Sequence, residues 1–337
     1  MATALARTFP VTGPLDLRRT MLPLMRGTGD PTMLIGEREV WRATRTSDGP
    51  VTLHLTLDAD RLLAAAWGPG ADEILEDAPG WAGLLDDDRD FRPRHRVVNE
   101  LHRRLRGVRL TRTGRPAEAL VAAVLEQKVT GLEARRAYRR LSFAAGEPAP
   151  GPIELVAPPD PAAVAAMPSF RMHPFGVERR RAERLIALCA RAREIDALAS
   201  LPAATARERL ESFPGIGPWT AAEVARLALG DPDAVSVGDF HLPNVVVGAR
   251  EGTARRRRPH ARAARAVRGA SREGAAPARG RGYQSAEVRA EVRRASDRPH
   301  LMTTASATAT HLLLDVSRCP SRTALRDAQS PRKTRYR

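Results

Sequence analysis

The chain reads as an α+β protein: a small N-terminal antiparallel sheet comes first, an all-α bundle follows, and an irregular basic tail ends it. Three features point there. Val51 to Leu57 (VTLHLTL) alternates strictly, the periodicity turns helical from Pro116 onward, and a glycine hairpin stands between two helices at Phe213 to Trp219. The boundaries that go with them are 1–112 for the mixed sheet unit, 113–247 for the helices and 248–337 for the tail. A chain of 337 residues is long enough to bury a sizeable core in two such domains.

In the opening unit, Val51 to Leu57 has the pattern of a half-buried strand, and Gly36 to Arg45 is placed to pair with it across the Ser47-Asp48-Gly49-Pro50 turn. Arg61 to Trp67 and Phe91 to Leu105 read as more helical. Beyond Pro116, Ala117 to Lys128 (AEALVAAVLEQK) is one helix. Phe175 to Arg193 is another, with Leu185, Ile186, Leu188 and Cys189 on an apolar face and basic residues opposite. Such a basic face reads first as solvated and second as contacting nucleic acid. A Pro-rich connector, Glu147 to Pro161, precedes Met167-Pro168-Ser169-Phe170. Phe170 is either an ordinary core aromatic or part of a pocket wall.

The most informative stretch runs from Phe213 to Asp239, FPGIGPWTAAEVARLALGDPDAVSVGD. A short polar helix, Ala206 to Phe213, enters a hairpin of Pro214, Gly215, Ile216, Gly217 and Pro218, and an apolar helix leaves it at Trp219. Two glycines let the backbone turn sharply and come close to a partner, while the unpaired first-turn amides and the positive end of the helix dipole favour an anion such as phosphate. The plainer alternative is a structural turn between packed helices. Asp239 follows in Val237-Gly238-Asp239-Phe240, where an acidic side chain is explained as the N-cap of the apolar segment after it. Cap and catalyst are compatible roles, and the pairing with the hairpin favours the second.

Hairpin, spacing and Asp together resemble the helix-hairpin-helix DNA glycosylase superfamily, in particular its 3-methyladenine DNA glycosylase II (AlkA-like) branch. The resemblance implies a catalytic role for Asp239 and DNA contacts from Gly215, Ile216, Gly217 and Thr220. Lyase relatives carry a Schiff-base lysine where this chain has Trp219, so the resemblance implies a monofunctional enzyme that leaves an abasic site. Val124-Leu125-Glu126-Gln127-Lys128-Val129-Thr130 is similar to the family's segment whose Gln-containing loop meets the minor groove, which makes Gln127 and Lys128 further DNA-binding candidates. Lys128 takes the wedge position, where it would use its aliphatic stem or contact phosphate; the alternative is an ordinary solvent-facing lysine. Gly176, Arg181, Ala182 and Glu183 match the lead of a family helix, and Pro14-Leu15-Asp16 resembles the family's opening motif.

The implied reaction is hydrolysis of the N-glycosidic bond of an alkylated purine in base excision repair. Alkylation at N3 or N7 makes the base cationic and a good leaving group, so the enzyme must extrude the nucleotide, stack the base and stabilise an oxocarbenium-like sugar. Trp219 is suited to the stacking by cation–π attraction, with Phe170 a second candidate for the base pocket. Asp239 would face the sugar and orient or activate water. No cofactor or metal is required, although family hairpins often hold a monovalent cation through backbone carbonyls. The partner implied is double-stranded DNA with alkylated bases, met by a monomer in the bacterial cytoplasm at the nucleoid.

Composition limits the alternatives. Cys189 and Cys319 are too few for a disulfide framework or a four-cysteine iron–sulfur cluster, and no apolar run approaches the ~20 residues that span a bilayer. The formal net charge is +16, but residues 248–337 hold 22 Lys plus Arg against 7 Asp plus Glu, which leaves 33 basic and 32 acidic residues before Gly248. The body is nearly neutral, so the hairpin argues for DNA more strongly than the overall charge does. The family closes its bundle with further amphipathic helices, whereas this chain continues after Asn244 with Arg255 to Arg258, Ala/Arg/Gly repeats and a Thr/Ala stretch at Met302 to Thr310. Three readings follow: a disordered tail, a DNA-binding basic tail, or a change of coding frame near Val246. The third is preferred, because 53 Arg to 2 Lys marks GC-rich coding, which yields Arg, Ala, Gly and Pro when read out of frame. Two function classes stand: a DNA-repair enzyme, intact or inactivated by an aberrant C-terminus, and a non-catalytic helix-hairpin-helix DNA-binding protein. Asp239 and Trp219 favour the enzyme.

Overall fold

A computed structural model describes residues 4–239. The tail, the candidate frame change and the segment that Asp239 is expected to cap lie outside the described residues.

Strands β1 (Leu5–Pro10), β2 (Met33–Ile35), β3 (Glu39–Thr46), β4 (Gly49–Asp58) and β5 (Arg61–Trp67) form one antiparallel sheet in the order β1-β5-β4-β3-β2. β3 and β4 pair as the alternation of Val51 to Leu57 requires, with Thr46 opposite Gly49, so Ser47 and Asp48 alone make the turn. The helical expectation for Arg61 to Trp67 is wrong. Its Leu/Ala run is flanked by β4 on one side and β1 on the other, joined to β4 by the two residues Ala59 and Asp60. Leu62, Ala64 and Ala66 thereby face the core while Leu63 points out at 40% exposure, and pairing on both edges overrides the run's helix propensity.

α1 (Leu17–Met21) begins at Asp16, whose carboxylate accepts from the Arg19 amide. α2 (Ala71–Trp81) lays Ile74, Leu75, Ala78 and the fully buried Trp81 against Leu53, Leu55, Leu62, Ala64 and Ala66 of the sheet. α3 (Arg96–Arg104) occupies part of the expected Phe91 to Leu105 helix and buries none of its residues. The Pro-rich connector crosses the other side of the sheet, where the Val156 amide donates to Pro31 O and Arg45 Nε donates to Pro158 O.

The remaining helices are α4 (Pro116–Glu126), α5 (Gly131–Ala145), α6 (Pro161–Ala166), α7 (Arg179–Cys189), α8 (Ala192–Ala197), α9 (Ala203–Glu211) and α10 (Pro218–Val224). They share a second core of Leu120, Val124 and Leu125 from α4, Tyr138 and Leu141 from α5, Leu185 and Leu188 from α7, and Leu210, Phe213 and Ile216 around the hairpin. α4 runs through its middle with Ala117 and every residue from Leu120 to Leu125 buried, as a helix apolar on all sides must. α10 continues through a π-helical turn, Ala225–Leu229, and Leu227 of that turn packs into the sheet core.

One buried ion pair joins sheet to bundle. Arg42 on β3 donates to Glu118 on α4 and to Thr32 Oγ1, while Thr44 Oγ1 donates to the other Glu118 oxygen at 2.5 Å. Burial works against the Arg42 charge, but Glu118, helped by Tyr138 and Asp30, outweighs it and holds the guanidinium above its ordinary value. Removing one partner leaves the other charge buried and uncompensated. Glu118→Ala is expected to destabilise the fold by about 3 kcal/mol in urea unfolding, and the double variant Arg42→Met with Glu118→Leu to recover most of that loss. A single variant with a parental midpoint would show that the pair carries no stability.

Candidate active site

The hairpin between α9 and α10 is built from local backbone bonds. The Phe213 amide donates to Leu210 O at 3.1 Å, the Ile216 amide to Phe213 O at 3.0 Å and the Ala221 amide to Gly217 O at 3.0 Å. Buried Phe213 and Ile216 anchor it on the bundle core. Its two glycines differ. Gly215 has φ 86°, and a β-carbon there would overlap the Arg184 side chain, so both backbone and packing demand glycine. Gly217 is extended at φ −100° as the N-cap of α10, and a β-carbon there would meet nothing within 4 Å. Open space beyond Gly217 leaves the backbone free for approach from outside.

A side-chain amide holds the hairpin to the end of α4. Gln127 Nε2 donates to Gly215 O at 3.1 Å and to Thr220 Oγ1 at 2.9 Å, and Gln127 Oε1 accepts from Arg184 Nη1 at 2.5 Å. Arg181, buried to 5% exposure beneath the same turn, donates to the carbonyls of Leu125, Gln127 and Gly176. Desolvation lowers the Arg181 pKa from its ordinary value, with Glu178 and Glu133 working the other way. Lys128 follows with φ 56°, one of two non-glycine residues with positive φ among those described, and its side chain is exposed. Thr130 then starts α5 with a full capping box to Glu133. A strained, exposed lysine between a pinned glutamine and a capped helix is a rigid projecting tip.

Asp239 comes back to the hairpin through the loop after α10. Its amide donates to Ser236 O at 3.1 Å, and its carboxylate Oδ2 accepts from Trp219 Nε1 at 3.2 Å. Both residues are half-buried. The loop is itself anchored from within: Ser236 Oγ donates to Glu223, and Glu223 pairs with Arg226 at 2.6 Å, all three buried. The structure thus brings Gln127, Gly215 and Thr220 together, and joins Trp219 to Asp239. Phe170 stands apart: it is 70% exposed on the 3-10 turn Ser169–Phe175, so it is no core aromatic, and no ring contact links it to Trp219 among the described residues. Among the described residues no group of three or more His, Cys, Asp or Glu could hold a metal ion, and no helix is long and apolar enough to cross a membrane.

Sequence reasoning missed two supports of this site. Arg184 lies on the helix whose basic face reads as solvated, although it follows Arg181 by one turn on the same side. Glu223 and Arg226 sit at i and i+3 in an otherwise apolar helix, a spacing that could have marked a buried pair. The two glycines make a direct contrast in stability. Gly215→Ala is expected to lower stability by about 1–3 kcal/mol through strain and the displaced arginine, whereas Gly217→Ala should unfold within about 0.5 kcal/mol of the parent. Equal losses in thermal melts would contradict the asymmetry.

No family model matches the chain. Over 147 residues it is 35% identical to a protein of Mycobacterium tuberculosis named probable bifunctional transcriptional activator/DNA repair enzyme AlkA, covering 40% of this chain and 28% of that protein, in each of two strains. The chain thus spans 28% of the length of the curated relatives it matches. Among solved structures it is similar to the 3-methyladenine DNA glycosylase of Archaeoglobus fulgidus, with TM-score 0.63 and 15% identity over 92% of this chain and 98% of that one. It is also similar to MBOgg1 in complex with a low-affinity DNA ligand, at TM-score 0.59 and 14% identity over 94% and 98%. The 8-oxoguanine glycosylase/lyase of Clostridium acetobutylicum, in complex with double-stranded DNA, follows at 0.51 and 12% over 85% and 97%. Identities this low speak for the fold alone. The chain thus shares its α+β fold with these solved DNA glycosylases, and over 147 residues it is similar in sequence to the mycobacterial AlkA protein.

Proposed function

We propose that this chain is a DNA glycosylase of base excision repair that hydrolyses the N-glycosidic bond of alkylated purines in duplex DNA. The observation that carries the reading is the Asp239 carboxylate held by Trp219 Nε1 immediately beside the hairpin. A cationic alkylated base leaves without strong general-acid help, so what the site must supply is negative charge near the sugar and an aromatic surface for the extruded base. Asp239 supplies the first. Trp219 supplies the second, because its indole N–H bonds Asp239 through the ring edge and leaves the π face to the base.

As the C1′–N bond breaks, its electron pair goes to the base, and the carboxylate faces the positive charge that grows on the sugar. Water oriented by Asp239 then attacks C1′ and passes its proton to that carboxylate, leaving an abasic site and the neutral free base. Trp219 has no amine with which to form an imine, which supports hydrolysis without lyase activity. The hairpin amides and Lys128 would meet the phosphates and the gap left by the extruded nucleotide, and the proposed enzyme needs no resident cofactor. Trp219, Asp239, Gln127 and the hairpin meet within one copy of the chain, and we propose that it acts as a monomer.

Asp239→Asn keeps the shape and removes the charge. It is expected to lower release of 3-methyladenine or 7-methylguanine from methylated duplex by at least a hundredfold while duplex affinity changes less than threefold. Retained excision would reduce Asp239 to a structural residue. Product DNA should stay unbroken until treated with alkali, and spontaneous strand cleavage would overturn the monofunctional assignment. Gly217→Val is expected to weaken binding to damaged and undamaged duplex alike, because the branch blocks backbone approach to phosphate; unchanged affinity for both would make the hairpin a turn and nothing more.

A further inference from the structure

Arg184 occupies an unusual electrostatic position. Its side chain crosses the α-carbon of Gly215 at the bend of the hairpin, and its Nη1 donates to the neutral amide oxygen of Gln127. Among the described residues no carboxylate lies within ion-pair distance of it. Several other partly buried arginines face carboxylates, Arg26 with Glu126, Arg45 with Glu147, Arg115 with Glu73 and Asp77, and Arg207 with Asp231, whereas Arg109 meets the carbonyls of Thr12 and Pro14. A guanidinium does not lose its proton in a protein, so a full positive charge stands half-exposed at the hairpin with no ion-pair partner among the described residues. Arg181 adds a second charge beneath the neighbouring turn between α4 and α5, bonded to the carbonyls of Leu125, Gln127 and Gly176, and Lys128 a third at the tip of that turn.

Packing alone does not account for this choice of residue. An aliphatic side chain could cover Gly215, and the Gln127 amide oxygen could be met by a neutral donor, with no like charge placed beside Arg181. What a guanidinium adds is Nε–H and Nη2–H pointing away from the bond to Gln127, a planar fork that fits a phosphate. We propose that Arg184 binds a backbone phosphate of the DNA strand held at the hairpin, with Gln127 fixing the plane of its guanidinium. The inference rests on the reading of the chain as a duplex-binding protein and is independent of its catalysis.

The test is the salt dependence of binding by the full chain to an undamaged duplex oligonucleotide, read by fluorescence anisotropy across a sodium chloride series. Arg184→Gln is expected to flatten the slope of log K against log salt by about 0.9, the loss of one phosphate contact, while Arg184→Lys keeps the parental slope and Arg193→Gln, on an exposed residue of the following helix, changes nothing. Arg184→Met keeps the aliphatic cover over Gly215 and reads the same slope if the Gln variant melts below the assay temperature. A parental slope in the neutral variants would overturn the proposal and leave Arg184 as a brace for Gln127. A parent chain without salt-dependent binding would overturn both the proposal and the DNA-binding reading beneath it. Slope loss by a chain that releases no base from methylated duplex in a parallel assay would sink the glycosylase reading alone.

Discussion

The site depends on α4 being unable to move. Its flanks are buried all round, and polar bonds pin it at both ends: Glu118 to Arg42 and Thr44 of the sheet, Glu126 to Arg26, and Gln127 to the hairpin and Arg184. Burial raises the Glu126 carboxyl above its ordinary value, with Arg26 working the other way. Because one residue, Gln127, both ends α4 and grips Gly215 and Thr220, the projecting tip at Lys128 and the hairpin form a single rigid edge. Sheet, tip and hairpin are thereby referred to one helix.

Buried arginines of this fold mostly reach a carboxylate, and two that do not lie at that edge. Arg42, Arg207 and Arg226 each reach a carboxylate, which repays part of the desolvation that would otherwise make a buried charge prohibitive. Arg181 and Arg184 instead hydrogen-bond to carbonyl oxygens, and Glu178 and Glu133 act on Arg181 without an ion pair. A small positive field is therefore left at the hairpin of a body that is almost neutral before Gly248, whereas the global excess lies in the tail. Local field and overall charge have different origins here, and only the local one belongs to the proposed site.

The loop that carries Asp239 shows the same economy. A half-buried carboxylate needs a donor, and Trp219 provides it through the ring edge while Ser236 and the Glu223–Arg226 pair fix the loop from behind. The π-helical turn that ends α10 lets Leu227 pack into the sheet core and directs the chain back toward the hairpin. The proposed catalytic geometry is thus held by contacts that reach both hydrophobic cores.

Local sequence determined what local physics controls. Strict alternation identified β4 and its partner, the helical period from Pro116 identified α4, α7 and the two helices around the hairpin, and the glycine hairpin with Trp219 and Asp239 marked the proposed site, because backbone conformation and amphipathic period are written in neighbouring residues. Tertiary structure decided the rest. Arg61 to Trp67 became a strand since two neighbours supply its backbone partners, and Phe170 was left on the surface since burial depends on what packs against a residue. The bracing roles of Gln127 and Arg184 arose only when distant segments met: the bonds from Gln127 reach 57 and 93 residues along the chain, a separation across which no local pattern carries information.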